Sequence, residues 1–286
     1  MSRGMLRDLW ALGKPRVTLM NVLMAAGGMA LAGSSIPLLT AIALLLGTAL
    51  AVSSANALNM AIEHNSDGLM ARTRTRPLPA GRLSLKIATL YGVCIGVLGV
   101  LLLSLAGPIP ALLGLGALLV YVLVYTPMKQ RSAWALIVGA VPGALPPLMG
   151  WSAATGAIEA PGLTLFALLF LWQLPHFLAI SLFRSTDYAQ AGIHTVPAAM
   201  GARAARIQAL ACCTFLVPLS LMLLPLGVAG PLFAIVATVM GVYFWLWSAR
   251  GLVQQPAPDW ARRFFISSVI YLPVTTIALA FDALIF

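Results

Sequence analysis

The sequence predicts an all-α integral membrane protein. Hydrophobic residues make up 61% of the chain and charged residues only 8%, whereas about one quarter of a typical globular protein is charged. Long apolar runs recur along the chain, each close to the roughly 20 residues that a helix needs to cross a bilayer. The runs are continuously apolar and rich in Leu and Ala, without the two-residue alternation of transmembrane strands.

About nine apolar runs meet this length criterion. They cover residues 17–33, 37–60, 88–106, 109–127, 133–152, 163–183, 207–228, 230–249 and 264–284. We therefore predict about nine transmembrane helices packed in a bundle. No low-complexity tract or polar linker separates the runs, so the sequence predicts one membrane-embedded domain over residues 1–286.

The basic residues support this count. The chain has 17 Lys and Arg residues and a net charge of +10. All of them fall on one side of the membrane if nine spans alternate. The basic charge is therefore explained by membrane topology and does not indicate nucleic-acid binding. The positive-inside rule then places the N-terminus and the basic loops in the cytoplasm. We expect the protein in the bacterial cytoplasmic (inner) membrane, with its functional site facing the cytoplasm.

A polar segment after the second predicted span carries the strongest functional signal. It reads NMAIEHNSDGLMARTRTRPLPAGR from Asn59 to Arg82. Asn59, Glu63 and Asp67 are four residues apart, so a continuing helix would stack their side-chain oxygens on one face. Such a face suits Mg²⁺, which takes few carboxylates and completes its shell with water and phosphate oxygens.

Arginine residues follow this acidic face at once. Arg72, Arg74, Arg76 and Arg82 lie in a loop broken by Pro and Gly, and guanidinium groups suit phosphate. A metal-competent face beside these arginines predicts a diphosphate substrate. Two other interpretations stay open. The acidic residues can pair with arginines such as Arg72 or Arg184, and membrane-proximal arginines attract anionic lipid at about 1 kcal/mol each.

A second loop on the basic side is similar to the first. The loops cover roughly residues 61–87 and 184–206, and the second carries Asp187 before HTVPAAMGAR as the first carries Asp67 before RPLPAGR. Four predicted helices separate them, a pattern consistent with an internal repeat of helical units. We therefore expect the two acidic loops to face each other across a cavity.

Six segments together resemble one family of enzymes. The NxxxExxxD pattern with RTRTRPLPAGR is similar to the first acidic motif of the membrane-embedded aromatic prenyltransferase superfamily. The other five segments are KPRVTLMN, YTPMKQRS, GALPPLMGW, WQLPHF and DYAQAGIHTVP, which lie between residues 14 and 197. The combination resembles the heme O synthases, also called protoheme IX farnesyltransferases.

This resemblance implies a nine-helix bundle around a central cavity with both acidic loops at its mouth. It implies a Mg²⁺-dependent enzyme that transfers the farnesyl group of farnesyl diphosphate to a vinyl group of heme B, with addition of water, giving heme O and diphosphate. Asn59, Glu63, Asp67 and Asp187 would hold the metal. The superfamily usually has two aspartates in its second motif, and only Asp187 is present here.

Further side chains are assigned to the site on the same basis. The predicted catalytic residues are Asp67, Asp187, Tyr125 and Lys129. Arg72 and Arg76 are predicted to bind the diphosphate, supported by Lys14, Arg16 and Asn21. Tyr125 is either an interfacial anchor or a group that stabilises the diphosphate or the allylic cation. Asn21 either bonds a neighbouring helix or faces the cavity.

His176 is the candidate for contact with the heme. It lies in WQLPHF within a predicted span, where an ionisable ring is costly and usually has a function. Heme iron accepts histidine as an axial ligand. An interhelical hydrogen bond explains the position equally well.

Other functions stay open on the sequence alone. A prenyltransferase for a quinone or chlorophyll-type acceptor would share the diphosphate chemistry. A secondary transporter would have similar helices, but it needs charged sites near the middle of the membrane, whereas the charges here crowd one face. A noncatalytic assembly factor leaves the metal and arginine pattern unexplained. The expected partners are farnesyl diphosphate, heme B, membrane lipid and downstream heme-modifying or oxidase-assembly proteins, with no nucleic acid.

Overall fold

The computed structural model describes residues 3–33, 35–253 and 259–285, and every regular element in these ranges is a helix. The elements in chain order are α1 (Arg3–Leu12), α2 (Pro15–Leu31), α3 (Leu38–Ile62), α4 (His64–Leu69), α5 (Leu85–Ala106), α6 (Pro108–Leu119), the π-helix π1 (Val120–Tyr125), α7 (Thr126–Met128), α8 (Ala135–Thr155), α9 (Ala160–Phe183), α10 (Ser185–Gln190), α11 (Val196–Leu221), α12 (Pro231–Val253) and α13 (Trp260–Ile285). The predicted all-α class is confirmed.

Eight helical segments in the described residues are long and apolar enough to cross a membrane. They are α3, α5, the continuous segment from α6 through π1 to α7, α8, α9, α11, α12 and α13. The first predicted span corresponds to α2, which has 17 residues and lies at the lower end of the spanning length. The prediction of an integral membrane protein is confirmed. The count of nine spans and the cytoplasmic N-terminus stay predictions.

The largest difference from the predicted boundaries occurs at α11. The apolar run predicts a span over 207–228, whereas the helix covers Val196–Leu221. Thr195 starts it earlier, because its hydroxyl accepts a hydrogen bond from the Ala198 N–H at 3.4 Å and caps the first turn. The segment is interrupted at Gly201, whose φ of 85° and ψ of 156° are not helical. Arg203 and Arg206 follow this break, so a search for a continuous uncharged apolar run begins only after them.

The chain divides into two compact units, Met1–Ile158 with Asp187–Ile193, and Glu159–Thr186 with His194–Phe286. The prediction of a single domain over residues 1–286 stays a prediction. In the first unit α3 packs along α5, and α2 packs along α8.

Two glycines make the contact between α2 and α8 possible. A Cβ atom at Gly150 would lie 1.9 Å from Ala25 O, and one at Gly28 would lie 2.0 Å from Pro147 O. The helix backbones therefore touch directly, a mode of packing for which small residues are favoured in membranes. This contact ties the short helix α2 to the rest of the first unit.

In the second unit α9 packs against α11 and α13, and α12 packs against α11 and α13. Asp282 of α13 joins two of these helices. Its Oδ2 atom accepts hydrogen bonds from the Gly230 and Phe233 N–H groups at 2.8 and 2.7 Å. A carboxylate at the start of α12 satisfies backbone donors that have no partner within the helix.

Candidate active site

Asn59, Glu63 and Asp67 share one face at the end of α3, as their spacing predicts. The Glu63 N–H donates to Asn59 O at 2.9 Å, and the Asp67 N–H donates to Glu63 O at 2.8 Å. Helical hydrogen bonding therefore continues through Glu63, where α3 gives way to α4. The three residues are only 2%, 9% and 1% exposed. Polar groups buried this deeply need partners.

Each of the two carboxylates pairs with a cation from another segment. Asp67 Oδ2 lies 2.6 Å from Arg76 Nη1, and Glu63 Oε1 lies 2.5 Å from Lys129 Nζ. The acids thus form ion pairs, but not with Arg72, the arginine nearest to them in sequence. Removing one partner of a buried pair leaves an uncompensated charge. The two pairs therefore fix the end of α3 to two loops of the first unit.

The loop after α4 holds Arg76 in position. Thr73 Oγ1 donates to Asp67 O at 2.7 Å, and the Arg76 N–H donates to Thr73 O at 2.9 Å. Farther along the loop, Arg82 Nε lies 3.1 Å from Asp8 Oδ1 on α1. Arg76 is therefore part of the buried site, whereas Arg82 anchors the loop at its exposed side.

The π-helix π1 brings Thr126 to the same site. Thr126 Oγ1 donates to Tyr121 O at 2.8 Å and accepts from Asn59 Nδ2 at 3.1 Å. Because the one hydroxyl hydrogen of Thr126 goes to Tyr121, Asn59 must present its nitrogen here, and its oxygen is left for other ligands. Thr126 is 1% exposed, and sequence reasoning missed it. The only signal was its place before a proline in YTPM, and π-helical turns are frequent at functional sites.

Tyr125, the last residue of π1, lies beside Lys129, which follows α7. Lys129 Nζ is 4.7 Å from the centre of the Tyr125 ring, a cation–π distance, and the Tyr121 ring centre is 5.0 Å from that of Tyr125. A Cβ atom at Gly139 would lie 2.4 Å from Tyr125 Cε2, so α8 packs directly against the ring. Tyr125 is therefore held rigidly beside the ion pair of Glu63.

Lys14 lies at the junction of α1 and α2 in a strained backbone conformation. Its φ angle of 46° is in the left-handed region, which non-glycine residues rarely adopt. The Gly13 carbonyl before it accepts hydrogen bonds from Thr18 Oγ1 at 2.7 Å and Asn56 Nδ2 at 3.3 Å. Asn56 belongs to α3, so these bonds fix the junction near the end of the helix that carries the site.

Lys14 shares the electrostatic environment of both ion pairs. Burial, and then repulsion by Arg76 and Lys129, lowers the pKa of the Lys14 ammonium to about 7, against the attraction of Glu63 and Asp67. The five groups supply up to three positive charges against two negative ones. The site therefore has a place for an anion, and binding an anion there would favour the charged form of Lys14.

Asp187 lies in α10 and is half-buried. Its segment, Asp187–Ile193, belongs to the first unit, and the adjacent Tyr188 is an electrostatic neighbour of Tyr125. Within the described ranges, no three His, Cys, Asp or Glu side chains are gathered closely enough to share a metal ion. The metal site composed of Asn59, Glu63, Asp67 and Asp187 therefore stays a prediction.

The remaining diphosphate candidates are less constrained. Arg16 and Arg72 are exposed. The Asn21 amide donates to Val17 O at 2.8 Å within α2, so this nitrogen is used inside its own helix. Their predicted contacts with diphosphate stay predictions.

His176 lies in the second unit, within α9. Its Nδ1 atom is 2.8 Å from Ser268 Oγ on α13. The interhelical hydrogen bond that the sequence offered as one explanation is therefore present. A role as heme ligand stays a prediction.

The donor set at the end of α3 fits Mg²⁺ in its chemistry. Two carboxylates and one amide oxygen come from successive turns, and Mg²⁺ binds oxygen ligands of this kind together with water and phosphate. In the structure Arg76 and Lys129 neutralise the two carboxylates. Both cations are also of the type that binds phosphate oxygens, so the site can hold a metal and an anion together.

Comparison with known proteins assigns the chain to a family. The model of the UbiA prenyltransferase family matches residues 21–269. The chain is 48% identical over 275 residues to the protoheme IX farnesyltransferase of Anaeromyxobacter dehalogenans (strain 2CP-C). The aligned region covers 96% of this chain and 93% of that protein. The chain belongs to the protoheme IX farnesyltransferases of the UbiA prenyltransferase family. The resemblance predicted from the six segments is confirmed, and membership of a prenyltransferase family excludes the transporter and noncatalytic interpretations.

Solved structures support the same fold. One solved structure comes from work on the biosynthesis of digeranylgeranylglyceryl phosphate synthase in membranes. The chain superposes on it with a TM-score of 0.85 and 16% identity, and the superposition covers 98% of this chain and 99% of that chain. A UbiA homologue from Archaeoglobus fulgidus bound to GPP and Mg²⁺ superposes with a TM-score of 0.66 and 16% identity, covering 96% and 99% of the two chains. At these identities the likeness shows the fold alone.

Proposed function

We propose that this family member transfers the farnesyl group of farnesyl diphosphate to a vinyl group of heme B, with Mg²⁺ as cofactor, and that the product after addition of water is heme O. The observation that supports the site most strongly is the pair of buried ion pairs, Asp67 with Arg76 and Glu63 with Lys129, one helical turn apart. They bring oxygen ligands for a metal and cations for a diphosphate to one place.

The chain's own residues would act first on the leaving group. Arg76 and Lys129 are held within a few ångströms of the carboxylates, and Lys14 is near both. The oxygens of Asn59, Glu63 and Asp67 would hold Mg²⁺, which would supply Lewis-acid charge to the diphosphate. Arg76, Lys129 and Lys14 present fixed positive charges to the diphosphate oxygens, and these charges stabilise the leaving group as the bond to carbon breaks. Asp187, Arg72, Arg16 and Asn21 are proposed to complete this site.

The reaction then proceeds at carbon. The C1–O bond of farnesyl diphosphate breaks, diphosphate leaves with the electron pair, and an allylic cation remains. The terminal vinyl carbon of heme B forms the new carbon–carbon bond, water adds to the adjacent carbon, and one proton is released. Tyr125 is proposed to stabilise the cation through the face of its ring, and the apolar helices keep bulk water away until the carbon–carbon bond has formed.

The direct test is a product assay. Detergent-solubilised protein is incubated with heme B, farnesyl diphosphate and Mg²⁺, and the masses of the extracted hemes are measured by mass spectrometry. A sample treated with a metal chelator is the control. We expect a farnesylated and hydrated heme that disappears on chelation. Turnover of a quinone or chlorophyll-type acceptor without any heme product would keep the diphosphate chemistry and overturn the acceptor. Heme product in the chelated sample would refute the proposed dependence on Mg²⁺.

The membrane and its orientation belong to the same proposal. Eight apolar segments support an integral membrane protein, and the distribution of the 17 Lys and Arg residues supports a cytoplasmic face for the diphosphate site. We propose the bacterial inner membrane as its location. Accessibility of a single cysteine placed at the exposed Arg72 to a membrane-impermeant reagent, in inverted vesicles against right-side-out vesicles, tests the orientation.

A further inference from the structure

The hydrogen bond between His176 and Ser268 fixes the protonation pattern of the imidazole. Ser268 Oγ donates its one hydrogen to Phe265 O at 2.6 Å. The same oxygen lies 2.8 Å from His176 Nδ1, so it must accept there, and Nδ1 must carry the hydrogen. The neutral ring then has its lone pair on Nε2. Within the described residues Nε2 has no hydrogen-bond partner. A neutral imidazole with a free lone pair on one nitrogen is the form of histidine that binds a metal.

The ring is also held in a fixed orientation. Trp172 lies against it at 4.9 Å between ring centres, Phe265 lies at 4.9 Å and Phe177 at 5.3 Å. The Trp172 indole N–H donates to Ser268 O at 3.0 Å, so the same serine fixes both the stacking partner and the imidazole. Ser268 is fully buried. The ring is therefore pre-oriented by α13.

Phe265, which contacts the His176 ring, also lines a groove of about 690 Å³. Its apolar walls are Phe183, Phe265 and Ile266, and its charged residues are Arg184, Arg262 and Asp259. Asp259 Oδ2 is 2.6 Å from Arg263 Nε, so its charge is compensated outside the groove. Arg262 forms no ion pair with any described residue. The groove therefore combines flat apolar walls with positive charge.

The groove and His176 are linked along α9 and α13. The centre of the Phe265 ring is 4.9 Å from that of His176 and 5.6 Å from that of Phe183. His176 and Arg184 are eight residues apart, or roughly 12 Å along a helix. An amphipathic ligand with a metal at its centre and carboxylates at its edge fits this arrangement.

We propose that the second unit holds the porphyrin acceptor, with His176 Nε2 facing its iron, Ser268 as the positioning residue, and the Arg184 and Arg262 groove receiving its two propionate carboxylates. This inference rests on the proposed function, because it names where the acceptor of that reaction binds. The apolar walls match the porphyrin plane, and the guanidinium groups match carboxylates. The iron is part of the substrate and undergoes no change in the transfer.

The carboxylate subsite is tested with a probe that lacks the charge. Binding of ferric heme and of its dimethyl ester is titrated by absorption spectroscopy, which does not depend on farnesyl transfer. We expect the wild-type protein to prefer the free acid by about tenfold, and Arg262→Gln to lose most of that preference. Arg203→Gln is the matched control, because Arg203 is also exposed in the second unit but does not line the groove. An equal preference in wild type and Arg262→Gln would overturn the subsite.

The histidine is tested by its spectroscopic signature. His176→Ala should remove the absorption bands of histidine-ligated heme. Ser268→Ala should shift them, because Nδ1 loses its acceptor, and Ser268→Thr should restore them. Unchanged bands in all three variants would overturn the role of His176. If heme binds in this way but is never farnesylated, the acceptor site stands and the proposed reaction fails. If heme is farnesylated with none of these effects, the reaction stands and the site fails.

Discussion

Lys129 and Glu63 are 66 positions apart in the sequence, yet their charged atoms lie 2.5 Å apart. Lys129 also lies over the Tyr125 ring at 4.7 Å. The pair joins the end of α3 to the segment after π1, and it lies beside the other buried pair, Asp67 with Arg76. A lysine in this position can serve the fold, by neutralising a buried carboxylate, or the reaction, by binding diphosphate.

A double-mutant cycle separates these two roles of Lys129. Lys129→Met leaves Glu63 buried without a partner, which should lower the free energy of unfolding by about 3–5 kcal/mol. Adding Glu63→Gln removes the unpaired charge and should restore most of the stability. Because Glu63 is itself a predicted metal ligand, Glu63→Gln alone is the reference for activity, and the double variant should be less active than this reference. Thermal unfolding in detergent and the product assay measure the two effects. Equal activity of Glu63→Gln with and without Lys129→Met would show that Lys129 acts only in the fold.

Asp67→Asn should strongly reduce turnover while the protein stays folded and inserted. The amide keeps the shape of the side chain but loses the charge that binds Arg76 and the predicted metal, and we expect a loss of about 10²–10³ in rate. Asp8→Asn is the matched control, since Asp8 also pairs with an arginine, Arg82, but away from the buried site. Near wild-type product formation by Asp67→Asn would refute the assignment. Asp187→Ala should behave like Asp67→Asn.

The acidic face could be predicted from sequence because its residues are local. Asn59, Glu63 and Asp67 need only a helical repeat to share a face, and the structure keeps that repeat. Their partners could not be predicted in the same way, because Lys129 reaches Glu63 from a distant segment. Thr126 could not be predicted either, since its position depends on a π-helical turn that no spacing rule describes.

The helices show the same division between local and nonlocal information. Apolar length gave the spans to within a few residues at most ends. The start of α11 at Val196 was missed because the segment is interrupted at Gly201 and carries Arg203 and Arg206, so that no continuous apolar run marks it; Thr195 caps its first turn. The tautomer of His176 depends on Ser268, 92 positions away, and therefore required the structure.

Gly150→Ala should destabilise the first unit. The new methyl group would lie 1.9 Å from Ala25 O, so α2 and α8 would have to separate, at a cost of about 1–3 kcal/mol or more. Gly27→Ala is the control on α2, because a Cβ atom there meets nothing within 4 Å. Thermal unfolding of both variants in the same detergent is the measurement. Equal melting temperatures would show that the helix contact is looser than the structure indicates.

Lys14 should make diphosphate binding depend on pH. Burial and neighbouring cations lower its pKa to about 7, so above this pH the free protein holds it mostly neutral. A bound anion favours the ammonium and raises the pKa, and binding should therefore take up a proton between pH 7 and the pKa of the complex. The affinity for diphosphate should then fall as pH rises through that window, by up to tenfold per pH unit for one proton.

Calorimetry in buffers of different ionisation enthalpy counts the protons. Diphosphate itself titrates, so Lys14→Met is the reference. On binding diphosphate at pH 8, this variant should take up fewer protons than the wild type, by at most one. The same proton count in both proteins would mean that Lys14 does not sense the bound anion.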